Sequence, residues 1–136
     1  MPPKSWKDVE RRVARFLGGE RNPLSGGASR HTRGDVLLSS PVYVEVKHGA
    51  SVPRSSAALA RLFLTVEGNA RDEGKLPVLV LHPKGKPGVG DYPSVVRVYG
   101  GRLRMDSDGS GPWPKEGVIV SVPLSVLNTL IQTGGP

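Results

Sequence analysis

Asp35, Glu45 and Lys47 are three charged side chains set in two of the most apolar runs of the chain, Asp35-Val36-Leu37-Leu38 and Val42-Tyr43-Val44-Glu45-Val46-Lys47. Both runs alternate and are rich in β-branched residues, and between them Ser39-Ser40-Pro41 has turn chemistry and a proline unsuited to a central ladder. A hairpin whose paired residue numbers sum to eighty sets Val36 opposite Val44 and Leu38 opposite Val42, with Val46 continuing that apolar face. Asp35 then opposes Glu45 on the other face, with Lys47 two residues further on. Opposed Cβ atoms in such a pair lie about 4.5–5.5 Å apart. Two like charges at that separation destabilise the pair unless a cation lies between them. Two carboxylates and an ammonium therefore point to a metal site, and oxygen donors suit Mg²⁺ or Mn²⁺. Against this stands the ordinary reading of Glu-x-Lys as one face of an exposed strand. Asp35 in register across the turn favours the site.

The elements around the hairpin follow from periodicity. Ser5 is a helix N-cap candidate, with Asp8 where a capping-box acid would stand. Trp6, Val9, Val13, Phe16 and Leu17 form an apolar stripe at helical spacing, and Gly18-Gly19 ends that helix. Glu10 falls at the border of the stripe, where Lys7 is its one helical partner and the side chain can face the hairpin. Residues 21–34 are a loop by composition, in which arginines, serines and glycines suit phosphate contact. Downstream, Ser55 or Ser56 caps a helix with Leu59, Leu62, Phe63, Val66 and Ala70 on its core face, ending at Gly74. Pro77-Val78-Leu79-Val80-Leu81-His82 reads as a central strand covered on both faces. Strand, helix, strand in this order is a right-handed parallel crossover, so the architecture is α/β. Beyond it come a second hairpin, Val95 to Tyr99 with Arg102 to Met105, a strand at Val118-Ile119-Val120, and a closing helix from Pro123 to Gln132. Asp106 to Gly111 lacks the acids of a calcium loop and reads as a turn.

Composition sets the limits. A chain of 136 residues suits a single domain spanning 1–136. No run of eighteen apolar residues and no signal-peptide pattern is present, so the expectation is a cytoplasmic protein with no membrane partner. Cysteine is absent, which leaves oxygen and nitrogen as metal donors. The net charge of +7 and pI of about 10.1 imply a polyanionic partner. Eight basic residues but three acidic ones precede Gly34, so the excess is concentrated beside the hairpin. Lys4, Arg11, Arg21, Arg30, His31, Arg33 and Arg54 are the candidate DNA contacts. Aromatic residues make up 5%, which disfavours a stacking platform for single strands. The Pro83–Gly90 loop lacks the spacing of a phosphate-binding loop, so no nucleotide cofactor is expected.

Taken together, a helix glutamate, an aspartate after glycine, and Glu-x-Lys on a strand resemble the PD-(D/E)xK nuclease superfamily, with Gly34-Asp35 and Glu45-Val46-Lys47 as its two elements and the motif's proline missing. The upstream Arg21-Asn22-Pro23-Leu24-Ser25-Gly26 resembles the archaeal-type Holliday junction resolvases, which occur in archaea and some viruses. The likeness covers residues 5 to 82, and the Pro- and Gly-rich remainder departs from it. It implies a restriction-endonuclease-like mixed central sheet flanked by helices. It also implies Asp35, Glu45 and the backbone carbonyl of Val46 as ligands to Mg²⁺, for which Mn²⁺ would substitute, with Glu10 joining the cluster. Lys47 would orient the attacking water, and Ser25 would contact the phosphate. The implied activity is structure-selective cleavage of four-way junction DNA by a homodimer. Two readings stay open beside it: a restriction- or repair-type nuclease acting on linear duplex, and a basic DNA-binding module without catalysis.

Overall fold

The computed structural model describes residues 6–23, 34–39, 41–85, 87–99, 102–103 and 118–132. Lys4, Ser25, Arg30, His31 and Arg33, the Ser5 cap, Met105 and the 106–111 turn lie outside them. Helix α1 (Trp6–Phe16) begins the described chain, and three short strands follow: β1 (Glu20–Arg21), β2 (Val36–Leu37) and β3 (Val42–Lys47). Helix α2 (Ser56–Asp72) leads into β4 (Leu76–Leu81), then β5 (Pro93–Tyr99), β6 (Arg102–Leu103), β7 (Val118–Pro123) and α3 (Leu124–Gln132). The strands form one mixed sheet in the order β1-β2-β3-β4-β5-β6, with β7 also pairing β5, seven strands among the described residues.

Local chemistry explains the boundaries. Gly18 takes a φ of +79°, which lets its own N–H bond the Arg15 carbonyl at 3.1 Å and the Gly19 N–H bond the Ala14 carbonyl at 2.8 Å. These two bonds consume orphan carbonyls of α1 and stop it. The Ser55 hydroxyl accepts from the Ala58 N–H at 3.1 Å and so caps α2. Strands β3 and β4 pair in parallel over six residues, from Val42 with Leu76 to Lys47 with Leu81, as a strand-helix-strand order requires. Strand β4 is buried along nearly its whole length, as its unbroken apolar run implies.

Alternation then sorts side chains into two cores. Val36, Val42, Val44, Val46, Val78 and Val80 face α1 and α3, against Val9, Val13, Leu124 and Leu127. Tyr43, Leu79 and Val95 face α2, against Phe63, Val66 and Ala70. Removing a valine or leucine of this kind from water contributes about 1.5–3 kcal/mol. On the α2 side Arg97 of β5 donates through Nε and Nη2 to both carboxylate oxygens of Glu67, at 2.7 and 2.8 Å, tying helix to sheet with a bidentate pair.

Three local expectations change. Trp6 belongs to the stripe by spacing, yet it is 41% exposed, because it sits on the first turn of α1 beyond the edge of the sheet core. Glu10, expected at the border, is buried with 5% exposure. Arg21, read as the start of a loop, instead forms with Glu20 a strand on β2, with Glu20 opposite Leu37 and Arg21 opposite Val36. Two residues are too few to show alternation.

Candidate active site

The hairpin register holds at its centre, where Val36 pairs with Val44. At the next rung the ladder changes hands. The Asp35 N–H donates to the Val44 carbonyl at 2.7 Å, and the Val46 N–H donates to Asp35 Oδ2 at 2.6 Å. The carboxylate thus takes the place of a backbone acceptor. Asp35 therefore reaches along the edge of β3 to the Val46 amide, instead of standing over the sheet face directly across from Glu45. Within a strand the N–H and C=O of one residue point to the same side. The Val46 carbonyl accordingly faces the edge that Asp35 occupies.

Asn22 holds this turn in place. Its N–H donates to the Asp35 carbonyl at 2.9 Å and its Nδ2 donates to the Gly34 carbonyl at 2.8 Å. Asn22 is buried. Gly34 has a φ of +84°, and a Cβ there would lie 2.6 Å from the Val44 carbonyl oxygen. Only glycine brings the chain this close to β3.

Glu45 shares its face of β3 with Tyr43 and Lys47. The Lys47 ammonium lies 3.5 Å from Glu45 Oε1. Burial pushes the Glu45 carboxyl up to about 7, and the charge of Asp35 adds to this; Lys47 opposes it, and Glu10 raises it slightly further. The Tyr43 phenol is raised to about 12, by burial first and then by Glu45, Glu73 and Asp35, so it remains a neutral neighbour. Asp35, just ahead of β2, and Glu10 on α1 thus both act electrostatically on Glu45 of β3. Strand β2 begins only at Val36, so ahead of it the edge of β3 is met by the Asp35 carboxylate.

Glu10 meets Arg21 of β1: Arg21 Nε donates to Glu10 Oε1 at 2.8 Å, with both side chains largely buried. The Arg21 guanidinium also lies 5.3 Å from the centroid of the Trp6 ring. Arg21, a candidate DNA contact by composition, is turned inward. Arg11 pairs with Asp8 at 2.8 Å on the exposed side of α1, and Arg54 is exposed after the Gly49–Ser51 turn. A cleft of about 360 Å³ opens beside the site, with Trp6 and Glu10 on one wall and Lys47, His48 and Ser51 on the other.

Several residues here carry no signal in the sequence. His48 and His82 each follow the last residue of a strand, and because β3 and β4 are parallel and in register their rings meet, with centroids 5.4 Å apart. The Tyr92 ring meets His82 edge-on at 5.1 Å. The His82 imidazole is held below its ordinary value by burial, with His48 and Arg12 adding to this. Its Nε2, Tyr92 Oη and Ser94 Oγ are buried polar atoms without a hydrogen-bond partner among the described residues. The strand pairing alone would have located His48 and His82. Asn22 has no such signature, because its role depends on a contact twelve residues away.

Among the described residues no three acidic or imidazole side chains stand close enough together to enclose an ion. The donor set nonetheless suits a hard divalent cation. Mg²⁺ is held by one or two carboxylates and retains several waters, and Asp35 and Glu45 are two carboxylates, the second raised by burial and by the charge of Asp35. Comparison of the chain with protein-family models, with curated proteins and with solved structures returns no match.

Proposed function

We propose that this protein is a Mg²⁺-dependent endodeoxyribonuclease that resolves four-way DNA junctions by paired, symmetric phosphodiester hydrolysis. The observation that carries the reading is the Asp35 carboxylate seated on the Val46 amide, beside a Glu45 carboxyl raised to about 7. The Lys47 ammonium, 3.5 Å from Glu45, would by itself hold that carboxyl low, yet burial and the charge of Asp35 outweigh it. The mixed sheet with its parallel β3–β4 pair and crossover helix supports a restriction-endonuclease-like fold for the site. The excess of positive charge supports a DNA substrate.

Bound there, a divalent cation supplies Lewis acidity and makes water a better nucleophile at neutral pH. Asp35, Glu45 and the Val46 carbonyl would hold it, with Glu10 adjacent. The protein's own residues do the positioning. Asn22 and Gly34 fix the Asp35 backbone, and the Val46 amide fixes its carboxylate. Lys47 orients the attacking water and offsets the charge that builds on phosphorus. Water adds to phosphorus as the bridging P–O bond breaks, leaving a phosphate monoester and a hydroxyl. Two such cuts on symmetry-related strands call for a two-fold homodimer.

One gel tests the proposal. The protein is incubated with Mg²⁺ and a labelled immobile junction, beside linear duplex, flap and single strand, and again as Asp35→Asn. Paired symmetric nicks confined to the junction, reduced at least 100-fold in Asp35→Asn, are expected; equal cutting of linear duplex would point instead to a restriction- or repair-type enzyme. Binding without cleavage under every condition would leave only a DNA-binding module.

A further inference from the structure

Of the protein's two tryptophans, Trp6 stands on the lip of the cleft that Glu10 and Lys47 also line. It sits on α1 with 41% of its surface open, whereas the other apolar residues of the stripe are buried or packed against the core. Two cations attend the ring. Lys7 Nζ lies 5.5 Å from its centroid and the Arg21 guanidinium 5.3 Å. Arg21 is in turn anchored to the buried Glu10 carboxylate at 2.8 Å. One of the two cations on the indole is therefore a fixed guanidinium, and cation–π attraction holds the ring in that position. The opposite wall is fixed as well: the Ser51 hydroxyl donates to the His48 carbonyl at 2.6 Å and accepts from the His48 N–H at 3.2 Å.

From this arrangement we propose that the cleft receives one unpaired nucleotide of the DNA, with its base stacked on Trp6 and its phosphate directed toward Lys47. The inference rests on the nuclease reading and goes beyond it, by naming the feature of a branched substrate that the site engages. A cleft of about 360 Å³ lies at the small end of those that enclose a ligand and cannot admit a duplex. Trp6 supplies a flat apolar surface and Lys47 a cation, the two groups that a base and its phosphate require. The acid on the Trp6 wall, Glu10, is paired with Arg21, so the cleft does not repel a polyanion as a bare carboxylate would. Where the arms open at a branch point a base loses a stacking neighbour, and drawing it out costs less there than in continuous duplex. A single stacking residue thus discriminates branched from linear DNA without reading sequence.

The test uses Trp113→Phe protein, in which Trp6 is the remaining indole, in EDTA so that no strand is cut. It is titrated with an immobile junction carrying 2-aminopurine beside the branch, and with a fully paired linear duplex. On the junction, Trp6 emission should change at saturation and the 2-aminopurine should be quenched, with neither effect on the duplex. Trp6→Ala should weaken junction binding by about 5- to 150-fold, leave duplex binding within about twofold, and recover most of the loss as Trp6→Phe. Junction binding at full affinity with Trp6 emission unmoved would overturn the inference and leave the nuclease reading intact. Failure of the Trp113→Phe protein to bind either DNA would remove both. The emission measurement needs no change at Trp6, so it decides the matter even where Trp6→Ala fails to fold.

Discussion

At the scale of single residues, the most informative side chain is Glu45. Its carboxyl titrates near 7 in the fold against 4.5 for the free group, chiefly because it is buried and then because Asp35 is close. A carboxyl raised on folding binds its proton more tightly in the native state. The resulting cost to stability is absent below about pH 4.5 and fully present above about 7, on the order of 3 kcal/mol. Without divalent ion, thermal melts should therefore show stability falling from pH 5 to pH 8, and Glu45→Gln should flatten that fall. Added Mg²⁺ should raise the melting temperature of the parent at pH 8 and leave Glu45→Gln nearly unmoved. Equal stabilisation of both proteins by Mg²⁺ would show that the ion binds elsewhere.

At the scale of elements, the site depends on how β2 enters the sheet. Gly34→Ala places a Cβ against the Val44 carbonyl at a φ that costs a non-glycine residue about 1–2 kcal/mol before any clash. A loss of at least 2 kcal/mol is expected in urea unfolding, and a value under 0.5 kcal/mol would show that the turn relaxes freely. Far from the site, the Glu67–Arg97 pair joins α2 to β5 where both side chains are mostly buried. Removing one partner leaves the other charge buried, and Glu67→Ala should cost about 3–5 kcal/mol. Replacing both partners by apolar residues should cost much less, and a double variant as unstable as the single one would show that the stranded charge is not the source of the loss.

At the scale of the whole molecule, charge and chemistry separate. A chain of net charge +7 should bind DNA with a steep salt dependence. Lys47→Ala should abolish cleavage, keep junction binding within a few-fold, and lower the slope of log K against log salt by about one. Loss of binding together with cleavage would make Lys47 a binding anchor and not part of the chemistry. No helix among the described residues is long and apolar enough to cross a membrane.

The sequence by itself determined the features that depend on period and composition. The stripe of α2, the apolar run of β4 and the Val36–Val44 register were legible because alternation and helical spacing are local, and burial on one face leaves one solution. The acids Asp35 and Glu45 stood out because charge in an apolar hairpin is costly and therefore visible. Tertiary structure alone decided the rest. Arg21 joins Glu10 across eleven residues, Asn22 clamps Gly34 across twelve, and His48 meets His82 only once β3 and β4 lie side by side in parallel. Trp6 had the spacing of a core residue, but its place at the cleft depends on where the sheet ends under α1. A one-dimensional pattern tells which face a residue is on; which neighbour that face meets is settled when separate strands and helices close on each other.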